Sequence, residues 1–176
     1  SYQGKVERHG YFLEGKLGLL DEENEWFYDT KSKTVYLWTS EGKDPNKFQI
    51  KGKTQSYAFD ISNSSYIKIE GLKFFGTTFR TKESHHMTIE NCELKYPSYS
   101  KRMLGDLSQM DVTSMNSKKK DFKAFNTVRN CKFEYMDGPV IDMNGWNNIV
   151  ENNYMHSIDY SCTYKGGYTL NMSQAT

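Results

Sequence analysis

A six-residue pattern of apolar and polar positions, here called the first motif, recurs along the chain. Each copy has an apolar residue, a charged residue, Gly or Asn, a residue typical of protein interiors, a mostly charged residue and a large apolar residue. Successive copies start 20, 39 and 22 residues apart, and such self-similarity indicates a repeat architecture. The copies are Ile69–Phe74, Ile89–Leu94, Val128–Phe133 and Val150–Met155.

Within the first motif, apolar residues alternate with polar ones, and the alternation restarts after the third position. This pattern predicts two short strands joined by a one-residue corner. Gly and Asn suit the corner because both tolerate the left-handed backbone conformation. We therefore predict that each copy is part of one turn of a parallel β-solenoid, with stacked amides at Asn91, Asn130 and Asn152.

A second motif, which is mostly apolar, Asp or Asn, apolar, alternates with the first and predicts a third strand in each turn. Connections between parallel strands are right-handed in the great majority of cases. We therefore predict an all-β fold, a right-handed single-stranded parallel β-helix over residues 57–176, truncated at its C-terminus. The copies of the second motif are Phe59–Ile61, Phe79–Thr81, Met110–Val112, Ile141–Met143 and Leu170–Met172.

Residues 1–56 lack both motifs and predict a separate N-terminal segment. Aromatic and β-branched residues at 25–29 and 35–38 flank a polar turn, as in a β-hairpin. A helical turn is expected within Tyr11–Leu20, and a short strand at Phe48–Ile50 is expected to begin the stack. We expect this segment to pack on the solenoid.

Charge and cysteine content narrow the class of protein. The 23 Lys and Arg residues nearly balance the 22 Asp and Glu residues, so the net charge of +1 implies no general nucleic-acid partner. No run of 18 apolar residues exists, so no membrane span is predicted.

Cys92 and Cys131 share a motif position, which places them about 4.8 Å apart on neighbouring strands. We expect inward-facing free thiols there rather than a disulfide, and no partner for Cys162.

The middle residue of each second motif should point to solvent, because its apolar neighbours point inward. Asp111 and Asp142 would then lie on adjacent strands, roughly 5 to 6 Å apart, a spacing close to that of the paired carboxylates of retaining glycosidases. The alternative is an ordinary ladder of solvated charges that has no catalytic role. The predicted outward column is Asp60, Arg80, Asp111, Asp142 and Asn171.

Loops rich in tyrosine precede the second motif and predict a binding surface beside this column. Tyrosine offers a flat apolar ring with a hydroxyl group, which suits a sugar, although tyrosine is also common on β surfaces. His156 follows a strand and could act as a general acid or base. The remaining candidates for substrate binding are Tyr135, Asp159, Tyr160, Tyr164 and Lys165.

Two adjacent histidines, His85 and His86, open another predicted turn. Neighbouring residues of a strand point to opposite faces, so we expect no joint metal site there. No metal or cofactor is implied elsewhere, although outward Asp and Asn side chains could bind Ca²⁺. The basic loop at residues 117–123 could hold an acidic glycan or be an ordinary solvated turn.

The sequences NEWFYDTKSKTVYLWT, YAFDISNSSYIKIEGLKFFG and HHMTIENCELKYPS resemble right-handed parallel β-helix proteins of the secreted, carbohydrate-active type. The resemblance spans roughly residues 20 to 172. It implies a secreted, extracellular or periplasmic protein with a polysaccharide or oligosaccharide partner. This scaffold serves lyases, hydrolases, epimerases and phage tailspikes, so the resemblance identifies no catalytic residue.

Three functions follow as expectations. We expect a glycoside hydrolase, which would use Asp111, Asp142 and His156, and the other two functions are the alternatives. A polysaccharide lyase acting on uronic-acid glycans would need a base and a cation, for which Arg80, His156, Tyr164 and Lys165 are available. A non-catalytic glycan-binding or adhesive β-helix would use the same surface without convergent acids.

Overall fold

The computed structural model describes Leu13, residues 15–99, 112–117 and 123–158, and the backbone of 170–173. The chain divides into two compact units. One comprises residues 1–50 together with 101–107, and the other comprises residues 51–100 together with 108–176. The packing of the N-terminal segment on the repeats stays a prediction.

The first unit contains the predicted hairpin. Strands β1 (Trp26–Asp29) and β2 (Thr34–Leu37) pair antiparallel, with Trp26 opposite Leu37. The Asp29 carboxylate accepts hydrogen bonds from the Ser32 hydroxyl and the Lys31 amide, which close the turn and lower the pKa of Asp29. Short 3-10 turns occupy Leu17–Leu19, Ser40–Gly42 and Pro45–Lys47. The predicted strand at Phe48–Ile50 is wrong, because that segment is irregular.

The second unit is built from parallel strands that visit three sheets in a fixed rotation. The strands are β3 (Tyr57–Ser62), β4 (Lys68–Glu70), β5 (Lys73–Phe75), β6 (Thr78–Lys82), β7 (Thr88–Glu90), β8 (Glu93–Lys95), β9 (Ser114–Asn116), β10 (Thr127–Arg129), β11 (Lys132–Met136), β12 (Ile141–Asn144), β13 (Ile149–Glu151), β14 (Tyr154–Ile158) and β15 (Leu170–Ser173). Sheet 1 has the order β15-β12-β9-β6-β3, sheet 2 has β13-β10-β7-β4, and sheet 3 has β14-β11-β8-β5. We call three consecutive strands, one in each sheet, a rung.

The first motif falls into register as predicted. Its opening apolar residues, Ile69, Ile89, Val128 and Val150, form one column of sheet 2. Its closing residues, Phe74, Leu94, Phe133 and Met155, form one column of sheet 3. Both columns belong to a single hydrophobic core. The prediction of an all-β fold with parallel sheets is confirmed, and the rotation of strands is compatible with a β-helix.

The corners between sheets 2 and 3 have the predicted backbone conformation. The φ angles of Gly71, Asn91, Asn130 and Asn152 are 67°, 55°, 54° and 50°, all in the left-handed region. The amide of Asn152 donates to the side-chain oxygen of Asn130 at 2.6 Å, whereas the Asn91 amide donates to Glu70 at 3.4 Å. The predicted amide ladder therefore forms between two rungs and not at Asn91.

The predicted copy of the second motif at Met110–Val112 is wrong. The strand in that position of sheet 1 is β9, in which Ser114 pairs with Arg80 on one side and with Asp142 on the other. Inward packing explains the shift, because the fully buried Thr113 and Met115 face the core from this segment. Asp111 lies outside the described residues. The apolar–polar pattern does not identify this strand, because Thr113 is an inward polar residue whose hydroxyl is hydrogen-bonded to that of Thr78.

The two described cysteines are free and buried, as predicted. Contact with Cys92 and burial raise the pKa of the Cys131 thiol. Cys162 lies outside the described residues. In the part of the chain that the structure describes, no helix is long and apolar enough to cross a membrane.

Candidate functional site

The outer side of sheet 1 carries part of the predicted acidic column. Asp60 pairs with Arg80, and Asp142 pairs with Ser114 and Asn171. Because Ser114 takes the position expected for Asp111, a hydroxyl stands beside Asp142 where a second carboxylate was predicted. The carboxylate pair of a retaining glycosidase is therefore not formed on β9 and β12.

At the start of this column, Asp60 and Arg80 form an ion pair. The Arg80 Nη2 and Nε atoms lie 2.6 Å and 3.1 Å from the same Asp60 oxygen, and the guanidinium carbon lies 4.6 Å from the centre of the Tyr57 ring. The hydrogen bond from Arg80 lowers the pKa of Asp60. Arg80 is thus engaged within the protein, which fits the interpretation as a solvated charge ladder.

The outer side of sheet 3 presents a different surface. Its register aligns Phe75 with Lys95, Lys95 with Glu134, and Glu134 with His156. Tyr96 and Tyr135 follow Lys95 and Glu134 directly in the chain. The predicted residues Tyr135 and His156 therefore lie on neighbouring strands, β11 and β14.

Aromatic rings connect the rungs of sheet 3, and we call this set the aromatic ladder. The Phe75 and Tyr96 rings meet edge to face at 5.6 Å, and the Tyr96 and Tyr135 rings stack at 5.1 Å with an interplanar angle of 22°. The His156 ring lies 6.2 Å from Tyr135 and 6.1 Å from Tyr154. Stacked rings cover one another's faces, so the ladder turns mainly ring edges and tyrosine hydroxyls outward.

The backbone at the two stacked tyrosines is left-handed. The φ angles of Tyr96 and Tyr135 are 53° and 55°, and the same column continues with Gly76 at 68° and Ser157 at 53°. Bulky side chains rarely adopt this conformation, which costs roughly 1–2 kcal/mol per residue. Such strain persists only where neighbouring contacts enforce it, and it concentrates at functional sites.

Lys95 adds a cation to the ladder. Its ammonium nitrogen lies 5.2 Å from the centre of the Tyr135 ring and 5.7 Å from that of Tyr96. On the same face, Lys73 pairs with Glu93 at 3.2 Å and Lys132 with Glu134 at 3.0 Å. No carboxylate of the described residues lies within ion-pair distance of Lys95. Lys95 is therefore free to attract an anion from solution.

His156 supplies an imidazole ring at the end of the ladder. Its side chain is exposed, and its Nδ1 atom lies 2.9 Å from the Ser157 hydroxyl. The other ring nitrogen can face solvent.

The structure separates the predicted site residues into three groups. Tyr135 and His156 lie in the aromatic ladder, whereas Asp60, Arg80 and Asp142 lie on the outer side of sheet 1. Asn171 is described only by its backbone, in register with Asp142. The other predicted binding residues, Asp159, Tyr160, Tyr164 and Lys165, lie outside the described residues.

The sequence analysis does not predict Phe75, Lys95 and Tyr154 as site residues, although their positions in or next to the first motif could have identified them. Phe75 and Lys95 each follow the closing apolar residue of a copy, and the polar position of the last copy is Tyr154. Among residues 15–99, 112–117 and 123–158, no three His, Cys, Asp or Glu side chains converge as metal ligands. No family model, curated protein or solved structure matches this chain.

Proposed function

We propose that the chain is a secreted right-handed parallel β-helix that binds an anionic polysaccharide on the outer face of sheet 3. The aromatic ladder and Lys95 would form the binding surface. Two observations together carry this proposal: the tyrosines have a costly backbone conformation, and beside their rings lies an ammonium group that pairs with no carboxylate of the described residues.

The strained backbone supports a role for the tyrosine side chains themselves. Asn or Gly at these positions would adopt the left-handed conformation at lower cost, as they do between sheets 2 and 3. Stacking of the two rings adds about 0.5–1.5 kcal/mol beyond the area that it buries. We infer that Tyr96 and Tyr135 act through what their rings and hydroxyls contact outside the chain.

The tyrosine hydroxyls and the ammonium group on this face suit a polymer of uronic acids or sulfated sugars. Tyrosine hydroxyls can exchange hydrogen bonds with sugar hydroxyls, and Lys95 can pair with a carboxylate or sulfate. Because equivalent groups recur on successive rungs about 4.8 Å apart, an extended chain could contact several rungs.

The test measures the affinity of the full chain for a uronic-acid polymer, a sulfated polysaccharide and a neutral polysaccharide. We expect the anionic polymers to bind and the neutral one not to bind. Lys95→Met should weaken binding and reduce its salt dependence, and Tyr135→Ala should weaken it at least about tenfold. Phe125→Ala is the matched control, because Phe125 also has a left-handed φ, of 50°, but lies outside the ladder. Equal affinity of wild type and both ladder variants would refute the proposal.

A second candidate is polysaccharide lyase activity at the same surface. A lyase needs a base near the proton beside a uronic carboxylate and a cation to neutralise that carboxylate. Tyr135 has the Lys95 ammonium at 5.2 Å and the His156 ring at 6.2 Å, which supplies both kinds of group. Unsaturated products detected by absorbance, and lost in His156→Gln with binding retained, would establish this activity. Glycoside hydrolysis through neighbouring carboxylates is not supported by the register of sheet 1.

A further inference from the structure

His85 and His86 lie at another corner, before sheet 2, and their side chains converge. Their Nδ1 atoms are 2.8 Å apart. The prediction that these side chains point to opposite faces is wrong, because His86 has a left-handed φ of 53°. That conformation interrupts the alternation of an extended strand and turns the second imidazole toward the first.

The His86 ring is held between two aromatic rings. Tyr66 stacks on it at 4.7 Å with an interplanar angle of 28°, and Phe125 lies 5.0 Å away at 31°. The edge of the Tyr66 ring also meets His85 at 5.7 Å. Both histidines are half-buried. Packing therefore fixes the orientation of His86, which is how proteins prepare an imidazole ligand for a metal.

The nitrogen separation favours one coordination geometry. With metal–nitrogen bonds of about 2.05 Å, two nitrogens 2.8 Å apart subtend about 86° at the metal. A tetrahedral ion would require them about 3.3 Å apart. An angle near 90° is that of neighbouring ligands in the tetragonal complexes of Cu²⁺ and Ni²⁺.

We propose that His85 and His86 form a bidentate site for a divalent transition metal of tetragonal geometry, and that Cu²⁺ is the ion that the site binds most tightly. Binding replaces the contact between the two Nδ1 atoms by two metal–nitrogen bonds, and the proton that lay between them moves through solvent to the Nε2 atom of the same ring. Water completes the coordination, since the described residues supply no third His, Cys, Asp or Glu ligand here. This site is independent of the glycan surface, to which neither histidine belongs.

The test titrates Cu²⁺ into the full chain without an affinity tag and records electron paramagnetic resonance spectra. His9 and His156 are the other histidines, so a His9→Gln/His156→Gln variant keeps only the proposed pair. We expect one equivalent of Cu²⁺ with two equatorial nitrogens in both the wild type and this variant. His85→Gln and His86→Asn should each weaken binding at least about tenfold.

Asn at position 86 tolerates the left-handed backbone, so loss of binding in that variant would not report misfolding. Phe125→Ala keeps both imidazoles but frees the His86 ring, and should weaken binding by about tenfold to a hundredfold. Cu²⁺ binding that survives His86→Asn, disappears in the His9/His156 variant, or shows a single nitrogen would overturn the proposal. Failure of the wild type to bind Cu²⁺ would overturn it as well.

Discussion

Two corners of the second unit share one backbone conformation and differ in their side chains. The asparagine corner, between sheets 2 and 3, consists of Gly71, Asn91, Asn130 and Asn152, with φ between 50° and 67°. The tyrosine corner, after sheet 3, consists of Gly76, Tyr96, Tyr135 and Ser157, with φ between 53° and 68°. Local preference alone explains the first corner and fails to explain the second.

The difference between the two corners distinguishes residues that the fold requires from residues that we assign to binding. Where residue preference and backbone agree, the side chains are explained by the fold, since a left-handed corner selects Gly and Asn. Where residue preference and backbone conformation disagree, the residue must be explained by contacts other than those of the local backbone. The tyrosine corner also carries Lys95, which lies beside the stacked rings of Tyr96 and Tyr135. This coincidence of strain, aromatic stacking and a positive charge is the reason to place the proposed glycan-binding surface there.

The largest effect should come from the core that supports both corners. Phe133 is fully buried and lies between Asn130 and Tyr135 in the chain. Phe133→Ala removes a ring that the packed interior cannot replace, so the free energy of unfolding should fall by about 3–5 kcal/mol. Chemical denaturation followed by circular dichroism measures it. A loss below about 1 kcal/mol would mean that the two corners do not share this core.

The asparagine corner should respond to its backbone requirement. Asn130→Ala places a β-carbon in the left-handed region and removes the oxygen that accepts from Asn152, so it should destabilise the chain by about 1–2 kcal/mol. Asn130→Gly removes the same hydrogen bond but suits the conformation, and should cost less than about 1 kcal/mol. Equal losses in both variants, measured by thermal unfolding, would show that the hydrogen bond and not the corner controls stability.

The tyrosine corner should behave in the opposite way. In Tyr135→Asn, relief of about 1 kcal/mol of backbone strain opposes the loss of about 0.5–1.5 kcal/mol of ring contacts. The free energy of unfolding should therefore change by less than about 1 kcal/mol, whereas affinity for the anionic polysaccharide should fall at least about tenfold. Tyr135→Phe keeps the ring and should retain part of that affinity. A destabilisation above about 3 kcal/mol with unchanged affinity would make Tyr135 a structural residue.

Much of the fold could be predicted from sequence because the repeat fixes both period and register. The alternation around Ile89 and Leu94 placed their columns correctly, and the Gly and Asn positions identified one corner. The alternation of apolar and polar positions does not predict polar side chains that point inward. Asn126 and Asn148 face backbone amides of the neighbouring rung, accepting from Met87 and Asn126 at 3.0 Å, and no hydrophobic count anticipates such bonds.

The candidate site could be predicted only in part, for two physical reasons. The long insertion after β8 breaks the period, so only a short pattern predicts Asp111 in the column, and the buried Thr113 does not follow that pattern. Contacts between rungs depend on register, which sequence spacing alone does not give, so the spacing does not predict the aromatic ladder. The sequence predicts loops at Tyr135 and His156, and their placement beside Lys95 follows only from the paired strands.

The smallest effect should come from the outer face of sheet 2, where the charges form ion pairs. Glu90 accepts from Arg129 Nη2 at 3.1 Å and lies 3.0 Å from the Lys68 ammonium, and these contacts, that of Arg129 first, lower its pKa below the ordinary 4.5. A lowered carboxyl pKa stabilises the fold above that ordinary value, and the contribution is lost as the pH falls through the lower pKa of the folded state.

Glu90→Gln should therefore lower the unfolding temperature slightly at neutral pH, and the difference from wild type should shrink as the pH falls below 4.5. Glu93→Gln is the control, since its pair with Lys73 is largely exposed and should contribute almost nothing. Affinity for the anionic polysaccharide should stay unchanged in Glu90→Gln, because Glu90 lies on sheet 2 and the ladder on sheet 3. A pH-independent difference, or weaker glycan binding, would mean that the charged face and the aromatic face are not separate in function.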